Sequence, residues 1–304
     1  MGTKLVLRTC NADMTSRDGF VWPESGPVEA PDWEPTYKCG HGLHGLLEGV
    51  GDSNCINWNA DAKWLVVEVD ESDLLYGKDE LKDKCKFRRG NVVFCGDRFS
   101  ATSYLSSHGC TGPIVGGTAT AGGYGMAIAG DYGMATVGYR GTAAAGRNGQ
   151  ATAGRNGQAT AGDNGTATAG DNGTATAGDR GTATAGDYGT ATAGYRGMAT
   201  AGDNGTATAG DNGTATAGDY GTATAGDRGT ATAGEGGVIV IAWYDGYRWR
   251  LAVGYVGEGI EANVAYRCDN EGNLIAASRL PDGNESSREV LGDNTGGGIL
   301  GATP

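Results

Sequence analysis

From Gly117 to Gly236 polar residues and alanines alternate in bursts of four, each burst closed by a glycine-bounded turn. The unit at residues 165–172 reads GTATAGDN, and fifteen such octads follow one another without a break. Alternation over four residues predicts a short strand with both threonines on one side and both alanines on the other. Eight residues cannot wrap around a core. Two octads can, giving a 16-residue coil of two strands and two turns. Coils stacked about 4.8 Å apart then make a β-solenoid of seven to eight coils, roughly 36 Å long.

The variation between octads says which side is inside. Position three is Ala throughout, and position five departs from Ala only at Val137. Position two accepts Met126, Met134, Met198, Gln150 and Gln158, and position four accepts Ile128 and Ala144. A slot that takes Gln beside Met faces water, and buried hydroxyls would each need a partner. Alanine is therefore expected inside and threonine outside.

Position eight gives a second trace of the coil. It is Tyr188 and Tyr220 in one set of alternate octads, and Arg180, Arg196 and Arg228 in the other. Alternate octads should thus lie on opposite sides, with tyrosines along one edge and arginines along the other. Tyr132 and Arg140 depart from this rule. The aspartates at position seven should stack as solvated turn residues, and the glycines and asparagines of the turns should supply positive φ.

The flanks have ordinary patterning. KLVLRT, WLVVEVD, KCKFRR and NVVFCGD read as strands, the last two around a turn at Arg89-Gly90-Asn91. GLHGLLEG and RFSATSYLSSHG read as short helices. After the repeats, VIVIAWYDGYRWRLAVGYVG predicts a hairpin about Asp245-Gly246, and EANVAYRCDNEGNLIAAS another about Asn270-Glu271-Gly272. The chain is thus expected to be mainly β: an α+β domain over 1–112, the octapeptide-repeat β-solenoid over 113–237, and a β-meander cap with a loose tail over 238–304. The two flanks would cover the open strand edges of the rod.

Composition narrows the function. The net charge is −13, of which the repeats carry ten acidic and six basic residues. Nucleic acid is not an expected ligand, since phosphate binding needs a basic footprint. No stretch approaches 18 apolar residues, so no membrane span is expected. Six of the seven cysteines precede Thr111, and with MGTKLVLRT too short for a secretory leader they point to reduced thiols in a cytoplasm.

Several residues are candidates for chemistry. Cys39, His41 and His44 lie within six positions and could ligate zinc, with Cys55 as a fourth ligand. The same stretch, with WLVVEVD downstream, is similar to an element of small ADP-ribosyltransferase folds, which would assign His44 to substrate positioning and Glu68 to polarisation. Trp243, Tyr244, Tyr247 and Trp249 form an aromatic cluster suited to a protein partner.

The octad resembles the repeats of bacterial ice-nucleation proteins, which carry a Thr-x-Thr motif beside an AG turn. That resemblance implies an ice-ordering surface on pairs such as Thr166 and Thr168, Thr174 and Thr176, and Thr206 and Thr208. The flanks, through NADMTSRDGFVWPESG, APDWEPTYKCGHGLHGLLEG, AKWLVVEVD and AWYDGYRWRLAVGYVGEGIEANVAYR, resemble a family of phage, prophage and bacterial proteins without an assigned activity. Together these readings favour a non-enzymatic binding protein without a cofactor, phage-encoded and acting in the host cytoplasm. It would block a host defence protein through the Thr face, the edges at Tyr188, Tyr220, Arg180, Arg196 and Arg228, and the cap at Trp243 and Trp249. A homodimer is compatible with it. Ice binding through the Thr rows is the alternative, and the transferase is the second.

Overall fold

The computed structural model describes residues 2–16, 19–81 and 83–279; the tail expected at the C-terminus lies outside them. The chain is mainly β, with a β-solenoid of about eight 16-residue turns behind an N-terminal head of one sheet and one short helix.

The head contains β1 (Thr3–Cys10), β2 (Gly26–Glu29), β3 (Leu43–Leu47), β4 (Lys63–Asp70), β5 (Leu74–Leu75), β6 (Cys85–Phe87), β7 (Arg89–Gly96) and α1 (Arg98–Ser107). The strands form one antiparallel sheet in the order β2-β7-β4-β1-β3-β6-β5. One side packs Val6, Leu65, Val67, Phe87 and Trp22; the other packs Leu7, Leu46, Trp64 and Val66 against Ala101 and Leu105 of α1. Asp97 caps the helix by accepting from Ser100 N.

Two local expectations for the head are corrected. GLHGLLEG is the strand β3 rather than a helix. Each of its glycines weakens a helix by about 1 kcal/mol, and a Cβ at Gly45 would fall 2.6 Å from the Leu7 carbonyl oxygen of the paired strand. Arg89-Gly90-Asn91 is no turn but the start of β7, which pairs with β2 and β4, while β6 pairs with β3 and β5.

The repeats supply fifteen strands, β8 (Thr118–Ala121) to β22 (Thr230–Ala233), one per octad at eight-residue intervals. Alternate strands pair in parallel and in register, Thr166 beside Thr182 and Thr174 beside Thr190, so two sheets form back to back. Every position-three and position-five alanine from Ala127 to Ala233 is buried. Their methyl groups, with Val137, make a core one small side chain deep.

That thinness explains the glycines. The octad glycines at positions one and six do not have positive φ; position eight does, in Asn, Arg, Tyr and Gly236 alike, at values such as 54° for Asn172, 56° for Arg180 and 55° for Tyr188. The glycines are instead required by close approach, within the turn and between coils. A Cβ on Gly165 would lie 2.7 Å from the Gly162 oxygen and 2.8 Å from the Ala161 methyl, and one on Gly178 would strike Asp163 of the coil before.

The aspartates also do more than face water. Asp163 Oδ1 accepts from Asp179 N at 3.0 Å, and Asp179 Oδ1 accepts from Tyr195 N at 2.8 Å. On the opposite edge Asp187 accepts from Asp203 N, and Asp203 from Asp219 N. These carboxylates therefore pin the next coil by its backbone, a charge-assisted bond on an otherwise repulsive column.

The last coil is closed by β23 (Val238–Tyr244), whose Ile239 and Ile241 replace the alanines. It hairpins into β24 (Trp249–Tyr255), and β25 (Tyr266–Cys268) hairpins into β26 (Leu274–Ala276). These are not one meander. The first hairpin extends one solenoid sheet to nine strands and the second extends the other to ten.

The head is joined to the first coils by several polar and aromatic contacts. Ser53 Oγ donates to Asp131 Oδ2 at 2.8 Å, Arg147 bridges the same carboxylate at 3.0 Å, and Trp58 stacks on Tyr132 at 4.0 Å. This contact accounts for the departure at Tyr132, which serves the head rather than the edge. Arg140 lies over the rings of Tyr124 and Tyr139, 5.9 and 5.3 Å from their centroids.

Candidate functional site

The outward side of each sheet carries two columns of side chains, from positions two and four of its octads. On the ten-stranded sheet the position-four column is threonine in every coil: Thr120, Thr136, Thr152, Thr168, Thr184, Thr200, Thr216 and Thr232. Its position-two column is interrupted by Met134, Gln150 and Met198. On the nine-stranded sheet four successive coils have both threonines: Thr174 with Thr176, Thr190 with Thr192, Thr206 with Thr208, and Thr222 with Thr224. Beyond that block lie Gln158 with Thr160, then Ala144 and Met126 with Ile128 on one side, and Val238 with Val240 on the other.

The candidate pairs are therefore divided. Thr166 and Thr168 belong to the ten-stranded face, while Thr174, Thr176, Thr206 and Thr208 belong to the nine-stranded one. The repeat period predicts that alternate octads part company, but the assignment of particular pairs to one working surface needs the sheets.

Among the described residues Thr230 accepts from Arg267 Nε at 3.0 Å, and the other repeat hydroxyls bond to no protein group. They are free to bind water in a fixed array. β-Branching holds each χ1 in few rotamers, and parallel pairing sets the columns about 4.8 Å apart between coils and roughly 6.7 Å along a strand. A tetrahedral water network with O–H···O contacts of about 2.75 Å has second neighbours at about 4.5 Å, close to the coil spacing. The array can order water.

The edges separate as expected from position eight. Tyr188 and Tyr220 project from one edge, 65% and 71% exposed. Arg180, Arg196 and Arg228 lie on the other, Arg196 over the Tyr195 ring at 5.1 Å and Arg228 at 3.8 Å from Asp227. In the cap, Trp249 pairs with Tyr244 on the outward side, whereas Trp243 pairs with Arg250 and is half-buried beside Gly272. Trp243 and Trp249 do not form one surface.

The head candidates are not assembled into a site. Among the described residues no group of three or more His, Cys, Asp or Glu could hold a metal. Cys39 accepts from Lys84 Nζ at 3.0 Å, which holds its thiol below the usual range. His41 Nδ1 faces Asp32 at 3.5 Å. His44 is a β3 residue whose carbonyl accepts from Arg8, and burial, with nearby Lys84 and Arg8, lowers its pKa to about 4. Glu68 lies on β4 opposite Leu5 and accepts from Thr3, away from the His44 end of β1. No polarising pair is formed.

The chain is similar to known proteins over part of its length. Residues 4–101 match the model of a domain of unknown function, DUF7666. An ice nucleation protein of Pseudomonas fluorescens is 47% identical over 104 residues, 34% of this chain and 8% of the relative. One from Xanthomonas campestris pv. translucens is 38% identical over 104 residues, 34% of this chain and 6% of the relative. Ice nucleation protein InaA of Pantoea ananas is 34% identical over 130 residues, 39% of this chain and 10% of the relative. No solved structure matches. The chain is homologous to ice nucleation proteins over about a third of its length. It spans a tenth or less of each of these relatives.

The cytoplasmic location expected from the thiols and the short start is corrected by these relatives, which are surface proteins anchored at the bacterial outer membrane. Reduced cysteines in a head domain say nothing about where a repeat array works. Among the described residues no helix is long and apolar enough to cross a membrane.

Proposed function

We propose that this protein is a non-enzymatic, ice-ordering protein whose working surface is the nine-stranded face of the solenoid. The observation that carries this reading is the block of four successive coils, Thr174 to Thr224, in which both outward positions are threonine. The similarity to ice nucleation proteins supports it. The comparisons favour this alternative over a phage protein that blocks a host factor.

The ten-stranded face contributes less, because complete Thr-x-Thr coils occur there at most two in succession. A nucleating surface must hold an ordered patch of water large enough to grow, so an uninterrupted block outweighs a single long column. The test is droplet freezing of the full chain against a Thr192→Lys/Thr208→Lys variant. A freezing temperature returning toward that of buffer supports the reading; unchanged freezing with an intact fold rejects it.

A further inference from the structure

The strand β24 is the outer edge of the nine-stranded sheet, and among the described residues nothing pairs with its far side. An unpaired seven-residue edge offers a row of backbone donors and acceptors to another strand. Its outward side chains are apolar: Trp249, Leu251, Val253 and Tyr255 are 60, 66, 48 and 54% exposed. No acidic residue occurs between Gly246 and Gly257, in a chain of net charge −13, and Arg250 is already bonded to Asp245. Along this strand two copies of so acidic a protein would meet without opposed carboxylates.

We propose that two copies of the chain join end to end through β24, edge against edge in antiparallel pairing. The head lies at the other end of the rod, where it bonds to the first coils, so it does not obstruct such a contact. A two-fold axis through the paired strands sets the apolar row of one copy beside that of the other, the cross-strand arrangement that stabilises a sheet. The two rows bring together four aromatic and four aliphatic side chains. Trp249 and Tyr255 have a little over half of their surface open, so from about 150–250 Å² for a wholly buried aromatic the four rings offer roughly 350–600 Å². With the aliphatic residues and the paired backbone added, the contact is at the small end of specific interfaces, which start at about 1,000 Å². The two nine-stranded faces would then form one continuous sheet with both threonine blocks on the same side.

The test is small-angle scattering with light-scattering mass on the full chain and on a Leu251→Lys/Val253→Lys variant. Both side chains are exposed, so the variant should unfold at the native temperature; Trp249→Ser, a milder change on the same row, repeats the test if it does not. The expected result is a native mass of two chains, a longest dimension about twice that of the monomer, and association weakened about tenfold or more in the variants. A native chain that stays monomeric, a dimer no longer than one chain, or a dimer unaffected by the substitutions would overturn the proposal. Mass and length are read without ice, so this pairing fails or survives separately from the proposed function.

Discussion

The two faces of the solenoid are built from the same octad, share one alanine core and have the same coil spacing, yet they carry different surfaces. The ten-stranded face keeps one column of threonine for its whole length and breaks the other with Met134, Gln150 and Met198. The nine-stranded face concentrates complete pairs in four adjacent coils and turns apolar at both ends. The interior of the repeats admits Ala at every position but Val137, because Ala methyls from two sheets fill it. The exterior is free to vary, and its variation is what separates the faces. In such a fold stability is set inside and at the turns, and function is set by which outward positions stay uniform.

The largest effect should come from breaking what the faces share. Ala207→Leu adds three carbons to a core with no room for them and should cost about 1–3 kcal/mol or more, read by denaturant unfolding, with freezing activity lost from both faces. Next, Thr192→Lys/Thr208→Lys should remove most of the activity, while Thr184→Lys/Thr200→Lys on the ten-stranded face should remove much less. Equal losses in droplet freezing would mean the faces are equivalent. A smaller gain is expected from Gln150→Thr/Met198→Thr, which lengthens the run of complete coils on the ten-stranded face; its freezing temperature should rise toward that of a chain with two good faces. Smaller still, Tyr188→Asn relieves a bulky residue at φ 55°. It should stabilise by up to about 1 kcal/mol in thermal unfolding, with freezing unchanged because the edge is not the working surface.

Acid should separate the faces from the head. His44 is held at a pKa of about 4 against an ordinary 6.5, so the unfolded chain binds more protons between these values. Head stability should therefore be full above pH 6.5, fall as pH drops from 6.5 to 4, and level off below that. Monitored by tryptophan fluorescence, the head should loosen over this range while freezing activity persists. Loss of both together would place the head in the active surface.

Much of the rod is legible in the residues themselves. The tolerance of position two for Gln and Met reveals the outward side, and the alternation of Tyr188 and Tyr220 with Arg180, Arg196 and Arg228 reveals the two-octad coil. The head is less legible. Gly42-Leu-His-Gly-Leu-Leu spaces its leucines as a helix would, and only pairing with β1 and β6 makes it a strand. Nor does a run of Asp-Asn-Gly turns disclose that the carboxylate bonds to a backbone amide sixteen residues later.

The sequence by itself determined the repeat, the coil length and the inward alanines, because these follow from local periodicity and side-chain size. Only the tertiary structure decided which threonines share a face, why the glycines are glycines, and that the two terminal hairpins extend opposite sheets. Those features depend on contacts between coils sixteen residues apart or between distant strands, where the distance of closest approach, and not the identity of neighbours in the chain, sets what fits.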